Sequence, residues 1–285
     1  MLANSLHAVE AVRIWDKAPY NAFTDLIRFE GRFLCAFREG ATHHAKDGAG
    51  VIRVLASRDG RVWAPEALLA LEGVDLRDPK LSITPEGELL IAVGAVRDGE
   101  TGAERIRTLA YRSRDGRSWG EPWQIGETGD WLWRVTWQGG KAYSVGYGRA
   151  GLRLYVSEDG RTFRTLVEAF AAQHGGNEAT LVFDADGTAY CFLRRDAPKM
   201  TAMWGVSRAP YREWTWTDLG RRVGGPHVTV APDGRLIGVV RYFEGNIRSV
   251  SVVEMDRKGG GGTWRSCRRQ MATRATRGCG GTRES

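Results

Sequence analysis

Apolar and polar residues alternate in short bursts along most of this chain, and the bursts come in pairs. "LIRFEGRFLCAFR", "KLSITPEGELLIAVG", "RVTWQGGKAYSVGY", "TLVFDADGTAYCFLR" and "HVTVAPDGRLIGVVR" each run through a few β-type residues, a Gly-containing turn and a few more. Alternation on both sides of a tight turn predicts a β-hairpin. A third strand pattern follows several of the hairpins, as in "GVIRVLAS", "RIRTLAYRS" and "LRLYVS", and then a short fourth, as in "PEALLAL" and "EPWQIG". Four antiparallel strands over about 45–50 residues is the dimension of one propeller blade. Such units begin near Phe23, Asp78, Trp131, Glu178 and Pro226. The segment Leu166–His174, "LVEAFAAQH", is the one stretch that allows a helical turn or two.

The third and fourth strands of a unit are joined by a repeated phrase. "SRDGRVW" carries Ser57, Asp59, Gly60 and Trp63; "SRDGRSW" carries Ser113, Asp115, Gly116 and Trp119; "SEDGRTF" carries Ser157, Asp159, Gly160 and Phe163. The Gly supplies a positive φ, the Ser and Asp side chains can bond to turn backbone N–H groups, and the aromatic returns into the next strand and packs on the blade. The fourth unit carries a decayed version, "SRAPYREW" at Ser207–Trp214. The pattern predicts a folding staple rather than a catalytic motif.

Beyond Asp256 the alternation stops. Residues 257–285 are rich in Arg and Gly, and they read as a disordered basic tail, or as a GC-rich gene translated out of frame in place of a last blade. The expected organisation is therefore an all-β propeller over 1–256 and a tail over 257–285.

Charge follows the same division. The net charge is +7, but Asp256–Ser285 holds eight Lys/Arg against two Asp/Glu. The body thus carries no basic excess, which argues against a nucleic-acid partner. Eleven Trp and 37 Gly in 285 residues suit a turn-rich β protein. No apolar run is long enough for a membrane span, and no charged leader precedes an apolar core, so a cytoplasmic location is expected. Cys35 and Cys191 sit in apolar runs and read as small buried hydrophobes. No spacing suggests a metal site, a phosphate-cradling loop or any other cofactor site.

Candidate chemistry lies at the strand ends opposite the repeated turns. Arg38 in "CAFREG", Arg194 in "CFLRRD" and Arg241 in "GVVRYF", followed by Tyr242, end second strands in register. Guanidinium groups so placed converge on the channel, and their planar fork suits a carboxylate. The long polar loop "AFREGATHHAKDGAGVIRVL" gathers His43, His44, Lys46 and Asp47. "RDPKL" puts Arg77 and Asp78 at a rim position. Trp131, Trp133 and Trp137 in "WLWRVTW" serve blade packing or sugar stacking. His227 in "GGPHVTV" is either a channel-mouth residue or a buried, hydrogen-bonded one.

The repeated heptapeptides are Asp boxes, and together with the units around them they resemble the sialidase (neuraminidase) superfamily, over about Pro19 to Asp256. That family has six blades, whereas five are recognisable here. The resemblance implies a glycoside hydrolase of the exo-α-sialidase type cleaving a terminal acidic sugar from a glycan. It implies Asp47 as general acid/base, and Glu178 as the carboxylate that activates a nucleophile, with Arg194 closing the same hairpin. Arg38, Arg194 and Arg241 would hold the sugar carboxylate, with Tyr242 the nearest tyrosine. The family's first arginine falls where this chain has "NAFTDLIRF", at Phe23 or Thr24. The alternatives are a non-catalytic propeller that binds glycans or proteins through the same mouth, and an inactive truncated homologue.

Overall fold

The structure is a computed structural model that describes residues 12–43, 49–97, 101–196, 198–245, 247–259 and 263–267. Among these residues, twenty strands form four antiparallel sheets. The first unit comprises β1 (Tyr20–Phe29), β2 (Arg32–Gly40), β3 (Val51–Ser57) and β4 (Ala64–Leu69). The second comprises β5 (Val74–Ile83), β6 (Leu89–Arg97), β7 (Ile106–Ser113) and β8 (Trp123–Ile125). In the third, β9 (Asp130–Leu132) and β10 (Thr136–Gln138) both pair with β11 (Lys141–Gly148), followed by β12 (Gly151–Ser157) and β13 (Arg164–Val167). The fourth sheet has seven strands: β14 (Ala179–Phe183), β15 (Ala189–Leu193), β16 (Thr201–Ser207), β17 (Thr215–Val230), β18 (Leu236–Glu244), β19 (Ile247–Met255) and β20 (Thr263–Cys267).

That last sheet is two units sharing one strand. The first half of β17 pairs with β16, from Thr215 to Arg222, and the second half pairs with β18, from Arg222 to Val230. Counted this way, the described residues make five units rather than six, the third with its first strand broken into β9 and β10. They form a β-propeller in which the hydrophobic cores lie between neighbouring units, face to face. Leu34, Ile52 and Val54 of the first meet Leu76, Leu89 and Ile91 of the second. Leu90 and Ala110 meet Leu132 and Tyr155; Leu154 and Phe170 meet Leu181 and Met203; Phe192 and Trp204 meet Val228 and Val253. The free thiols Cys35 and Cys191 are buried. The segment Leu166–His174 ends β13 and continues as turns, and the described helix content is a single 3-10 turn at Gly102–Arg105. No helix among the described residues is long and apolar enough to cross a membrane.

The propeller boundary expected at Asp256 lies too early. Arg257 reaches back to the Asp184 carboxylate, and β20 pairs with β19 as the fourth strand of the fifth unit. The short run "TWRSC" has enough β character to take the open edge of β19, which overrides the composition around it. Residues 268–285 lie outside the described residues.

The repeated turns close the third and fourth strands as one geometry. Gly60, Gly116 and Gly160 have φ near +70° (73°, 74° and 69°). Asp59 Oδ1 accepts from the backbone N–H groups of Arg61 and Val62 at 2.8 and 3.0 Å, and the other two copies repeat this pattern. Trp63 and Trp119 donate their indole N–H to the carbonyls of Gly60 and Gly116. In the decayed turn Tyr211 takes the left-handed position at φ 61°, and Trp214 still donates to the Tyr211 carbonyl. These aspartates are held below the usual carboxylate range by the backbone N–H groups they accept.

Arg38 is fully buried between the first two units. Its Nε and Nη2 both lie 2.8 Å from Asp75 Oδ1, and Nη1 donates to the Thr42 carbonyl. A Cβ at Gly50 would collide with both partners, so the backbone passes there only as glycine. Removing one member of a buried pair strands the other charge and costs about 3–5 kcal/mol, whereas an exposed pair is worth less than about 1 kcal/mol. Arg38→Met is therefore expected to lower the urea-unfolding free energy by about 3–5 kcal/mol. Lys141→Ala, which opens the exposed Lys141–Glu158 pair, is expected to change it by less than about 1 kcal/mol.

Candidate active site

The first strand of each unit lines the axis, and most of these strands are irregular at the same level. The β1–β2 register slips between Ala22 and Asp25, the β5–β6 register between Arg77 and Lys80, and the β17–β18 register between Gly224 and His227. Phe23, Asp78 and Gly225 sit in these bulges with φ of 63°, 47° and 56°. In the third unit the ladder breaks at Trp133–Val135, between β9 and β10. In the fourth, Glu178 precedes β14, and its carbonyl accepts from the Arg194 N–H. A bulge re-aims side chains that a regular strand would send into the sheet faces. Here the result is an axial cavity of about 740 Å³.

Asp25 forms its floor. Arg134 donates to it through Nη2 at 2.5 Å and Nη1 at 3.1 Å, and the Leu81 N–H donates at 2.7 Å. One carboxylate thereby ties the first three units together. Burial alone would raise its pKa, but Arg134 outweighs that and holds it below the usual range. Lys80 is buried beside it, its ammonium 4.3 Å from the centre of the Trp133 ring. Burial depresses the Lys80 pKa against the pull of Asp78 and Asp25. His227 lines the same wall with Nδ1 buried and unbonded. Burial, with Arg134 adding, pushes its pKa down to about 3.

Two further carboxylates face the cavity in different states. Glu178 is paired: Oε1 lies 2.7 Å from Arg194 Nη1, and Oε2 accepts from the Gly225 N–H at 2.6 Å. Asp78, at its strained φ, has its pKa raised by burial and further by the negative Glu178; Lys80 and Arg77 oppose this without cancelling it. Tyr147 stacks on Trp131 at 6.3 Å with its phenol pKa well above the ordinary value, again by burial and then by Asp78 and Glu178. A raised carboxylic acid beside a paired carboxylate is the division of labour that acid/base catalysis uses. Two other hollows, against Phe170 and Trp216 and against Arg208 and Lys258, hold no such pair of carboxylates.

The structure brings Glu178, Arg194 and Arg241 to this cavity. It places Arg38 elsewhere, spent on Asp75 in the interface between the first two units. Tyr242 is buried in the core between the fourth and fifth units, and Arg221 donates to its hydroxyl at 2.7 Å. Asp47 lies outside the described residues. The Ser, Asp and Gly residues of the repeated turns occupy the opposite end of the propeller, because each third strand runs away from the cavity. Asp25, Lys80, Arg134 and Tyr147 line the cavity too, and motif reading missed them. Arg77, Asp78 and His227 sit in it at the rim positions their segments suggested.

No family model and no curated protein matches this sequence. Solved structures do match its fold. A protein of unknown function from Dyadobacter fermentans is 19% identical, with 87% of this chain and 83% of that one covered at a TM-score of 0.72. An α-L-arabinofuranosidase from Fusarium graminearum, in complex with an iminosugar inhibitor, is 14% identical over 87% and 80% at 0.64. A GH43 β-1,3-galactosidase with galactodeoxynojirimycin is 12% identical over 86% and 93% at 0.60. At such identities the shared property is the propeller itself.

The His227 imidazole stays neutral in the folded protein at pH values where an unfolded histidine, ordinarily near 6.5, binds a proton. Stability is therefore lost as pH falls from about 6.5 toward 3. Urea-unfolding midpoints are expected to drop between about pH 7 and pH 4.5, and His227→Gln to flatten that drop.

Proposed function

We propose that this chain is a glycoside hydrolase acting on a terminal sugar held in the axial cavity. The observation that carries the reading is the pairing of Asp78 and Glu178, two carboxylates on one cavity with opposite surroundings. Protonated Asp78 donates its proton to the glycosidic oxygen as the bond breaks. Glu178, oriented by Arg194 and the Gly225 N–H, takes a proton from the water whose oxygen bonds to the anomeric carbon as the leaving group departs. Two carboxyl groups flanking the scissile bond are the common requirement of this chemistry. Trp131, Trp133 and Tyr147 offer aromatic surface to a sugar ring. The glycosidase names among the structural neighbours support the reading at the level of fold alone.

The sugar we assign is acidic, in keeping with the sialidase-like sequence pattern. Arg77, Arg194 and Arg241 border the cavity. Arg241 has no carboxylate partner among the described residues, and Arg77 has its Nε buried and unbonded, with Asp75 no nearer than 3.8 Å. Arg77 lies 5.2 Å over Phe23, the position at which the sialidase resemblance would put an arginine. A carboxylate would find three guanidiniums there.

A panel of fluorogenic glycosides, including a sialoside, a glucuronide, a galactoside and an arabinofuranoside, tests the reading. Turnover of an acidic member is expected. Folded protein that turns over none of them would make this a binding propeller. Asp78→Asn and Glu178→Gln are each expected to lower kcat by about 10²–10⁴-fold. For the wild type, kcat/KM is expected to fall as pH rises through the raised pKa of Asp78, because the acid form is lost. That limb disappears in Asp78→Asn, and a limb that persists there would assign the proton to another group.

A further inference from the structure

The fifth unit presents one bare sheet face that starts in the cavity and runs outward. Rows of directly opposed residues define it: His227, Val239 and Val252; then Gly224, Arg241 and Val250; then Arg222, Phe243 and Arg248. Val239 and Val250 are 40% and 45% exposed, and both also line the cavity. Among the described residues no hydrogen bond or ion pair joins this unit to the first. The face is thus exposed at Val239 and Val250 and continuous with the site.

At its outer end three guanidiniums converge on one ring. Arg222, Arg241 and Arg248 lie 4.6, 5.3 and 5.9 Å from the Phe243 centroid. None of the three has a carboxylate partner among the described residues. Like charges gathered this closely repel one another, and a cation–π contact at an exposed site returns only about 0.5–1 kcal/mol each. An anion that bridges them removes the repulsion and uses their forked donors.

We propose that this face is a docking track for the leaving-group side of the substrate, and that the chain it receives is a polyanionic glycan whose sulfate or carboxylate groups engage Arg222 and Arg248, with Arg241 at the junction with the cavity. The valine strip carries the sugar nearest the cavity, and the arginines take the charges beyond it. The track deepens the glycosidase reading and rests on it for the direction of the chain.

Fluorescence anisotropy with short labelled oligosaccharides of equal length, one sulfated, one of uronates and one neutral, tests it without turnover. A single-stranded DNA of similar charge is the fourth probe. An acidic glycan is expected to bind, and to weaken by about tenfold or more between low and physiological salt. The Arg222→Gln/Arg248→Gln variant is expected to lose about tenfold in affinity with an unchanged thermal midpoint, since both side chains are exposed. The tighter of the two acidic probes tells sulfate from carboxylate. Equal binding of the neutral chain, undiminished binding by the variant, or DNA binding tighter than either glycan would each overturn the proposal. The two readings fail separately. Acidic-glycan binding with no glycoside hydrolysis removes the active-site assignment alone, and hydrolysis with no effect of the arginine variant removes the track alone.

Discussion

Everything at the axis depends on where the inner strands stop being regular. A strand in a propeller faces a neighbouring unit on each side, so its side chains alternate between two dry interfaces and have no direction reserved for the channel. The bulges at Phe23, Asp78 and Gly225 break that alternation at one level. For Phe23 and Asp78 the cost is a left-handed backbone on residues that carry a Cβ, of order 1–3 kcal/mol each. The packed units around them hold that conformation in place. Glycine at 225 meets the same demand without strain.

The bulges also explain why the floor of the cavity is charged. Once β1 and β5 turn inward, Asp25 and Lys80 are committed to a nearly dry space, and each needs a partner. Asp25 finds Arg134 from the third unit and the Leu81 N–H from the second. Lys80 has carbonyls of its own bulge and the Trp133 face. Neighbouring units are joined by the same means further round: Thr136 donates to the Leu181 carbonyl, Thr180 to the Pro226 carbonyl, and the Gly225 N–H to Glu178. Cohesion between units and construction of the site are therefore one set of bonds, and a substitution at the floor is felt in both.

Most of the fold was legible because it is written in local signals. All five hairpins and the three repeated turns follow from alternation and from glycine placement, and the Tyr211–Trp214 turn keeps their geometry without their sequence. The site was legible in part. Glu178 and Arg194 flank the β14–β15 hairpin and Arg241 lies within β18, where register can be counted from the hairpin turn. Arg38 occupies the same strand-end register as Arg194, yet Asp75 captures it; that pairing spans 37 residues and leaves no local trace. A regular offset would have found the floor: Asp25, Lys80, Arg134 and His227 each stand six or seven residues before the turn glycine of their hairpin. The residue types differ at every unit, so no motif search joins them, but their position does. The β20 strand was hidden by the opposite effect, since composition averaged over a window outweighs five residues that have an open edge to pair with.

The cavity does not balance its own charge. Arg77, Lys80, Arg134, Arg194 and Arg241 line it against Asp25, Asp78 and Glu178, and Asp78 has a raised pKa that favours its neutral form. Lys80 meets the same pressure from the other side, since burial disfavours its ammonium. The permanently charged members are the arginines, and only Arg134 and Arg194 have close carboxylate partners in the cavity. The residual positive field falls at the rim, around Arg77 and Arg241, and extends along the fifth unit to Arg222 and Arg248. A low-dielectric mouth focuses such a field and favours an anionic ligand over a neutral one of the same shape. At Asp78 desolvation outweighs that field: Lys80, Arg77 and Arg38 pull its pKa down, and burial still raises it.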